Sequence, residues 1–147
     1  MTIPQQSSRG RHVVSALHVH LVFVTKYRRG VLDAAMLACC EDAMRKVCGD
    51  FATELREFNG EDDHAHLLVE YPPKVAVSAL VNSLKGVSAR RLRSEFTGRV
   101  NQYIMHGHFW SPSYFAASCG GAPPSIIRQY IEQQRRPAQA TSGLTPL

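Results

Sequence analysis

A short apolar segment that ends in two prolines constrains the fold of this chain more than any other feature. Residues 62–73 read Asp-Asp-His-Ala-His-Leu-Leu-Val-Glu-Tyr-Pro-Pro. The run predicts a β-strand that stops at the prolines, because proline cannot donate to a strand ladder. Side chains alternate between the two faces of a strand, so His64 and His66 share one face about 7 Å apart, while Leu67 and Val69 face a core.

Two imidazoles on one rigid face can bind a metal ion. The pattern is weak by itself, because histidine pairs on half-buried strands are often simple surface residues. A second such pair, His18 and His20, occurs in the same chain. On His-x-His alone, the surface interpretation is favoured over the metal site.

Hydrophobic periodicity predicts the order strand, helix, strand, strand, helix, strand, helix. The predicted strands are 15–25, 51–58, the histidine strand and 109–119, and the predicted helices run from the N-cap Asp33 to Gly49, from Val77 to Phe96 and from Ser125 to about Arg135. The first six elements predict an α+β, ferredoxin-like (RRM-like) βαββαβ antiparallel sheet with two helices on one face, and the seventh is an extra C-terminal helix.

Local signals set the connections and the domain limits. Asn59-Gly60 predicts the tight turn of a hairpin between the second and third strands, and residues 99–107 resemble a loop. Polar composition predicts flexible tails at residues 1–12 and 137–147 around one domain at 13–136.

Composition narrows the class of protein. A chain of 147 residues with 44% hydrophobic residues can form one domain with a substantial core. Apolar runs of membrane-spanning length and an apolar signal region are both missing from the sequence, so we expect a cytosolic protein with no membrane partner. The net charge of +5 favours a polyanionic partner, although an acidic small molecule would also fit.

Two kinds of site are not indicated. The four cysteines, Cys39, Cys40, Cys48 and Cys119, form no C-x-x-C pair, so we expect reduced packing residues and not a zinc or redox site. The sequence contains no P-loop and no G-x-G-x-x-G motif, so no nucleotide cofactor is expected.

The final predicted helix carries Tyr130 and Gln134, which are four residues apart and therefore lie on one face. A phenol and an amide oxygen can then reach the same small volume. The commoner interpretation is that Tyr130 anchors the helix by packing with its isoleucine neighbours.

Five sequence blocks resemble the single-tyrosine transposases of the IS200/IS605 family, including their HUH signature. The blocks, in the same order as in that family, are 23–28, 63–73, 83–93, 109–115 and 130–134. The resemblance covers about residues 13 to 136, and it selects His64 and His66 over the earlier histidine pair. One departure is Ala65, which stands where the family usually has a bulky apolar residue and which should loosen core packing.

The resemblance implies a function. Tyr130 would be the nucleophile, and His64, His66 and Gln134 would bind a divalent metal, Mg²⁺ or Mn²⁺. The enzyme would nick and rejoin single-stranded DNA with hairpin ends through a 5′-phosphotyrosine, without an external energy source. It would be a homodimer in which the tyrosine helix can pack on the partner's histidine site.

Basic residues are candidates for phosphate contacts, although cations on a helix most often form a solvated face. These candidates are Lys26, Arg28, Arg29, Lys85, Arg90 and Arg93. Two alternatives remain: a ferredoxin-like nucleic-acid-binding module without catalysis, and a small metabolic or regulatory domain that binds a metal through the histidine pair. Metal-dependent cleavage of single-stranded DNA would separate the first hypothesis from both alternatives.

Overall fold

The central element is a four-stranded antiparallel sheet. The computed structural model describes residues 8–9, 14–118 and 124–134. Its elements are β1 (Ser8–Arg9), β2 (Val14–Ser15), β3 (Leu17–Val24), α1 (Ala34–Asp50), β4 (Glu54–Glu61), β5 (His64–Tyr71), α2 (Val77–Glu95), α3 (Thr97–Tyr103), β6 (Phe115–Ser118) and α4 (Pro124–Gln133). The main sheet has the strand order β4-β5-β3-β6, and β1 pairs with β2 in a separate two-residue ladder.

The predicted βαββαβ order is confirmed. Helices α1 and α2 pack against each other and cover one face of the sheet. The strand β5 shows why, because Ala65, Leu67 and Val69 are completely buried while the residues between them are half-buried. Helix α1 begins where the sequence predicts, since the Asp33 side chain accepts a hydrogen bond from Met36 N at 2.8 Å.

The predicted position of the β4–β5 turn is wrong, although the hairpin itself is present. Asn59 pairs with His66 and Gly60 pairs with Ala65, so both residues of the supposed turn lie inside strand β4. A Cβ on Gly60 would lie 2.6 Å from a methyl carbon of Leu37. The same Cβ would lie 3.0 Å from the His64 carbonyl oxygen, so a side chain here would be crowded by the neighbouring strand and by Leu37. The glycine therefore lies where space is short, and not where the chain reverses.

Two other predicted boundaries need correction. Residues 97–103 form helix α3, where the sequence suggested a loop, because Phe96, Val100 and Ile104 repeat at a spacing of four and place apolar side chains on one face. Strand β6 begins at Phe115 and not at residue 109. Before it, only an isolated bridge joins Thr25 to Trp110.

The predicted tails lie mostly outside the described residues. Within the predicted N-terminal tail, Ser8–Arg9 form β1, and the C-terminal tail at 137–147 is outside the described part, as is Cys119. The domain limits 13–136 remain a prediction. Among the residues that the structure describes, no helix is long and apolar enough to cross a membrane.

The cysteines of α1 pack as predicted. Cys39, Cys40 and Cys48 are buried and carry free thiols. Burial raises the pKa of Cys40 to about 12 and the pKa of Cys48 to about 11. These thiols therefore stay protonated near neutral pH and contribute to the core.

Candidate active site

The histidines of β5 lie on the face of the sheet opposite α1 and α2. His66 is opposite Val22 on β3, and His64 is opposite Val24. A third histidine, His20, comes from the same face of β3, and its Nδ1 lies 3.1 Å from His66 Nε2. The two rings are tilted, with centroids 5.3 Å apart.

His64 has a different partner from His66. Its Nδ1 lies 2.9 Å from Oδ1 of Asp63, and Arg28 Nε donates to Oδ2 of the same carboxylate at 2.9 Å. Asp63 is only 4% exposed. A buried carboxylate thus connects a histidine ring to a guanidinium, and both of its oxygens are used.

A cleft of about 630 Å³ separates these side chains from helix α4. The sheet side is lined by His20, Arg28, Glu61, Asp63, His64 and His66, and the helix side by Ile127, Arg128, Ile131 and Glu132. The wall is therefore partly apolar and partly charged. Its volume lies within the range of sites that bind small ligands or parts of larger ones.

Helix α4 faces the sheet with one stripe. Ile127, Tyr130, Ile131 and Gln134, at a spacing of three and four, are half-buried, and the residues between them are exposed. The amphipathic pattern explains why this short helix lies on the sheet. The stripe also carries the two polar side chains that the sequence singled out.

Tyr130 and Gln134 contact the segment that leads into β6. The Tyr130 hydroxyl lies 2.8 Å from Ser113 Oγ, and its ring centroid is 5.6 Å from that of Phe115. Gln134 Oε1 accepts a hydrogen bond from Ser111 Oγ at 2.9 Å. Two serines two residues apart thus hold a tyrosine and a glutamine four residues apart.

The structure places the histidines on one face of the sheet, but Tyr130 and Gln134 are not among the residues that line the histidine cleft. Ser111 N donates to Val24 O, and Val24 pairs with His64 on its other side. The backbones of Ser111 and His64 therefore lie about two strand spacings apart, roughly 10 Å. In this arrangement Gln134 bonds to Ser111, and the helix residues that line the histidine cleft are the neighbours of Tyr130.

Burial shifts two pKa values in the site. The pKa of His66 is lowered, first by burial and then by the neighbouring His20 and His64 rings. The imidazole is therefore neutral near neutral pH, which is the form that binds metals. The pKa of Tyr130 is raised by burial, against a smaller opposing effect of the hydrogen bond with Ser113. As held here, the phenol is harder to ionise than a free tyrosine.

The histidines by themselves do not make a complete metal site in the described part of the chain. Within the described part of the chain, no three His, Cys, Asp or Glu side chains are grouped so that they could hold a metal. His64 keeps Nε2 as its remaining ring nitrogen, since Nδ1 contacts Asp63. His66 Nε2 already lies 3.1 Å from His20 Nδ1. A cation at His64 and His66 would therefore need His66 to give up that contact or to use its other ring nitrogen, and its further ligands would be a neutral side chain, water or substrate.

Of the six basic candidates, three form hydrogen bonds within the chain, namely Lys85, Arg93 and Arg28. The other three are Arg29, Arg90 and Lys26. Lys85 Nζ donates to the carbonyls of Ser111 and Pro112, and Arg93 donates to those of Ile104 and Gly107, so both hold the 104–112 segment in place. Arg28 binds Asp63 as described. Arg29 and Arg90 are exposed, and Lys26 lies half-buried beside the Tyr27 ring, which is 55% exposed.

Sequence reasoning missed several of these contacts. His20 belonged to the histidine pair that the family resemblance set aside, and only the pairing of β3 with β5 shows that it lies beside His66. The position of Asp63, directly before His64, was a signal that could have been used. The serines Ser111 and Ser113 carried no signal that could be recognised in the sequence.

Comparison with known proteins assigns the chain to a family. The profile of the family described as "Transposase IS200 like" matches residues 13–134. The chain belongs to this family of IS200-like transposases.

Individual relatives agree with this assignment. The chain is 30% identical over 132 residues to the ISDra2 transposase TnpA of Deinococcus radiodurans, covering 90% of this chain and 94% of the relative. It is 31% identical over 115 residues to the transposase for insertion sequence element IS200 of Salmonella typhimurium, covering 78% and 74%.

Solved structures also match. The crystal structure of a putative transposase from Deinococcus radiodurans R1 has a TM-score of 0.78 and 32% identity, covering 88% of this chain and 98% of that chain. A REP-associated tyrosine transposase bound to a REP hairpin has a TM-score of 0.50 and 13% identity, covering 86% and 68%, which shows likeness of fold alone. The predicted transposase class is confirmed, and it implies an enzyme that cleaves DNA and transfers strands.

Proposed function

We propose that this chain cleaves and rejoins single-stranded DNA at the ends of an insertion sequence, with Tyr130 as the nucleophile and a divalent cation, Mg²⁺ or Mn²⁺, at His64 and His66. One observation carries the proposal. The histidines and the stripe of α4 that bears Tyr130 lie on the same side of the sheet, with a cleft of about 630 Å³ between the histidines and the helix.

The proposed chemistry is a transesterification. The Tyr130 oxygen attacks the scissile phosphorus as the phenolic proton is lost, and the 3′-oxygen leaves with a proton as a 3′-hydroxyl. The 5′-phosphotyrosine conserves the energy of the broken bond, so a second 3′-hydroxyl can reverse the step on another strand. When bound, a divalent cation would stabilise the charge that develops on the phosphate.

The side chains of this chain perform the remaining tasks. His64 and His66 are neutral ligands, and Gln134 is proposed as the third, so the ligand set would leave the cation's charge undiminished. Gln134 and Tyr130 must first exchange their hydrogen bonds with Ser111 and Ser113 for contacts in the histidine cleft. The same helix of a second copy could supply them instead.

A homodimer is part of the proposal. Ile126 on α4 is 43% exposed, and a ten-residue helix gains most of its stability from the surface it packs on. We expect light scattering at micromolar concentration to give twice the chain mass. A solution mass of 16.3 kDa, that of a single chain, would contradict this expectation.

The DNA partner follows from charge and from the family. Exposed cations such as Arg29 and Arg90, together with Lys26, are proposed to contact phosphates. Tyr27 beside Lys26 is exposed enough to stack on a base. A hairpin end is proposed because the structurally similar REP-associated transposase is bound to one.

The test is an assay with Mn²⁺ and single-stranded oligonucleotides that contain hairpins, followed by denaturing electrophoresis. The wild type should leave a covalent protein–DNA adduct, and Tyr130→Phe should bind DNA but form none. Tyr114→Phe is the matched control, because Tyr114 is also partly buried beside the sheet and should keep full activity. Equal adduct formation by Tyr130→Phe would refute the assignment of the nucleophile. DNA binding without cleavage by the wild type would favour the non-catalytic module.

A further inference from the structure

We propose that Asp63 and Arg28 are positioning residues that fix the proton of His64 on Nδ1, so that Nε2 is left as a lone pair for a ligand in the cleft. The inference rests on the proposed metal site at His64. It adds two residues that neither touch the DNA nor bind the cation, and it gives Arg28 a role other than a phosphate contact.

Both oxygens of the Asp63 carboxylate contact nitrogen atoms. Asp63 Oδ2 accepts from Arg28 Nε at 2.9 Å, and Oδ1 lies 2.9 Å from His64 Nδ1. An ionised carboxylate only accepts hydrogen bonds, and a guanidinium only donates them. His64 Nδ1 must therefore carry the hydrogen, and in the neutral ring Nε2 is then unprotonated.

The Asp63 carboxylate is held in a fixed position. Asp63 is 4% exposed, and its carbonyl accepts from Thr25 N at 3.0 Å. A buried charge is tolerated when a partner of opposite sign is hydrogen-bonded to it. Arg28 supplies that partner with a side chain that is only 19% exposed.

The backbone at Tyr27 and Arg28 has an unusual conformation that places the Arg28 side chain beside Asp63. Tyr27 and Arg28 both have φ of 58°, in the left-handed region that side chains other than glycine adopt only at a cost of roughly 1–2 kcal/mol each. The turn is held by Arg28 N donating to Thr25 O at 2.8 Å and by Thr25 Oγ1 donating to Arg29 O at 2.6 Å. Strain of this kind is retained mainly where it serves a site.

The ring of His66, the other proposed ligand, has a different partner from the ring of His64. His66 Nε2 contacts His20 Nδ1, and either ring can be the donor of that bond. Its proton position is therefore not dictated by a group that can only accept. Among the two proposed ligands, His64 is the one whose ring is oriented in advance by a carboxylate, as in the carboxylate–histidine pairs of metal sites.

The decisive variant is Asp63→Asn, which keeps the shape and changes the donor pattern. Arg28 can only donate, so the amide oxygen turns toward it and the NH₂ group faces His64 Nδ1. That nitrogen must then accept, and the proton moves to Nε2. Asp62→Asn is the matched control, because it makes the same chemical change one residue away at an exposed side chain.

Two measurements read the result. Long-range ¹H–¹⁵N NMR of the metal-free full chain, at about two pH units above the ordinary imidazole pKa of ~6.5, reports which His64 nitrogen carries the proton. Mn²⁺ titration by calorimetry reports affinity. We expect Nδ1–H in the wild type and in Asp62→Asn, Nε2–H in Asp63→Asn, and Mn²⁺ binding weakened about 10- to 100-fold in Asp63→Asn alone.

The outcomes separate this inference from the proposed function. An unchanged His64 tautomer, or unchanged Mn²⁺ affinity, in folded Asp63→Asn would overturn the positioning role. Wild-type Mn²⁺ affinity in His64→Ala would instead refute the metal site, while the tautomer measurement would still decide how His64 is held. If Asp63→Asn does not fold, Arg28→Lys decides: it should lose several-fold in Mn²⁺ affinity relative to Arg29→Lys, and equal affinities would overturn the proposal.

Discussion

Two long helices, α1 and α2, cover one face of the sheet, and one short helix, α4, covers the other. On the first face Ala65, Leu67 and Val69 of β5 are completely buried. On the second, His64 and His66 of the same strand are half-buried and border a cleft of about 630 Å³. The pleat of a single strand thus separates an apolar face, buried under two helices, from a polar face that borders the cleft.

The difference between the faces has an energetic cause. Apolar burial stabilises a fold, whereas a polar group in a dry core is costly unless it is hydrogen-bonded. The polar groups of the second face bond to one another, as the pair Tyr130–Ser113 and the pair Gln134–Ser111 show. Under the proposed function, these bonds are exchanged for bonds to DNA or a cation, and the net cost is small because one hydrogen bond replaces another.

The largest expected effect compares neighbours on β5. Leu67→Ala removes a completely buried side chain from the helix-covered face and should lower the free energy of unfolding by about 2–5 kcal/mol. His66→Ala, one residue earlier on the open face, should lower it by less than about 1 kcal/mol at slightly alkaline pH. Chemical denaturation of both variants measures the difference. Equal losses would show that the two faces contribute alike to stability.

The next effect concerns a polar contact inside the helix-covered side. Trp110 Nε1 donates to Ser88 Oγ at 3.0 Å, and both residues are buried. Ser88→Ala leaves the indole N–H without this acceptor and should cost about 1–3 kcal/mol. Ser94→Ala on the same helix is exposed, and it should be neutral or slightly stabilising because alanine favours helices. Thermal unfolding measures both, and a neutral Ser88→Ala would indicate that the indole finds another partner.

The helix-covered face was the more predictable of the two. The alternation of buried and half-buried residues in β5 and the apolar stripe of α2 both follow from the periodicity of hydrophobic residues, which can be recognised in the sequence. The predicted turn was wrong because a glycine can occur in a sequence for more than one structural reason. Asn59-Gly60 is typical of a tight turn, but here Gly60 lies inside a strand where a Cβ would be crowded by the His64 carbonyl and by Leu37 of α1, contacts that only the assembled fold defines.

The open face was less predictable, because its contacts join distant parts of the chain. The same-face placement of His64 and His66 follows from the period of a strand. The bond between Arg28 and Asp63, 35 residues apart, depends on a turn with positive φ at Tyr27 and Arg28. Tyrosine and arginine rarely adopt such angles, so the sequence does not predict this turn. The proximity of His20 to His66 depends on the register of β3 against β5, which alternation alone does not fix.

A pH dependence distinguishes the open face without any metal. The pKa of His66 is lowered in the fold, chiefly by burial and next by His20 and His64, while Glu57 opposes the shift. Its stabilising contribution is therefore fully present above the unfolded value of ~6.5 and is lost as pH falls through the lowered folded value. In the presence of a chelator, the stability difference between wild type and His66→Gln should change across this window and be flat above it. A difference that is flat throughout would contradict the shift.

The smallest expected effect tests how independently α4 opens. Ile131→Ala removes part of a half-buried side chain from the helix stripe, so global unfolding should change by less than about 0.5 kcal/mol if α4 detaches before the sheet unfolds. Amide hydrogen exchange within α4 should nevertheless accelerate about fivefold, which corresponds to roughly 1 kcal/mol of local stability. Gln129→Ala, on the exposed side of the same helix, should change neither quantity.

If Ile131→Ala lowered global stability as much as Leu67→Ala does, α4 would be part of the cooperative core. The hydrogen bonds of Tyr130 and Gln134 to their serines could then be broken only by unfolding the domain, and under the proposed function a second copy would have to supply the helix that bears Tyr130. A local effect confined to α4 would instead leave the helix free to exchange those bonds for the histidine cleft.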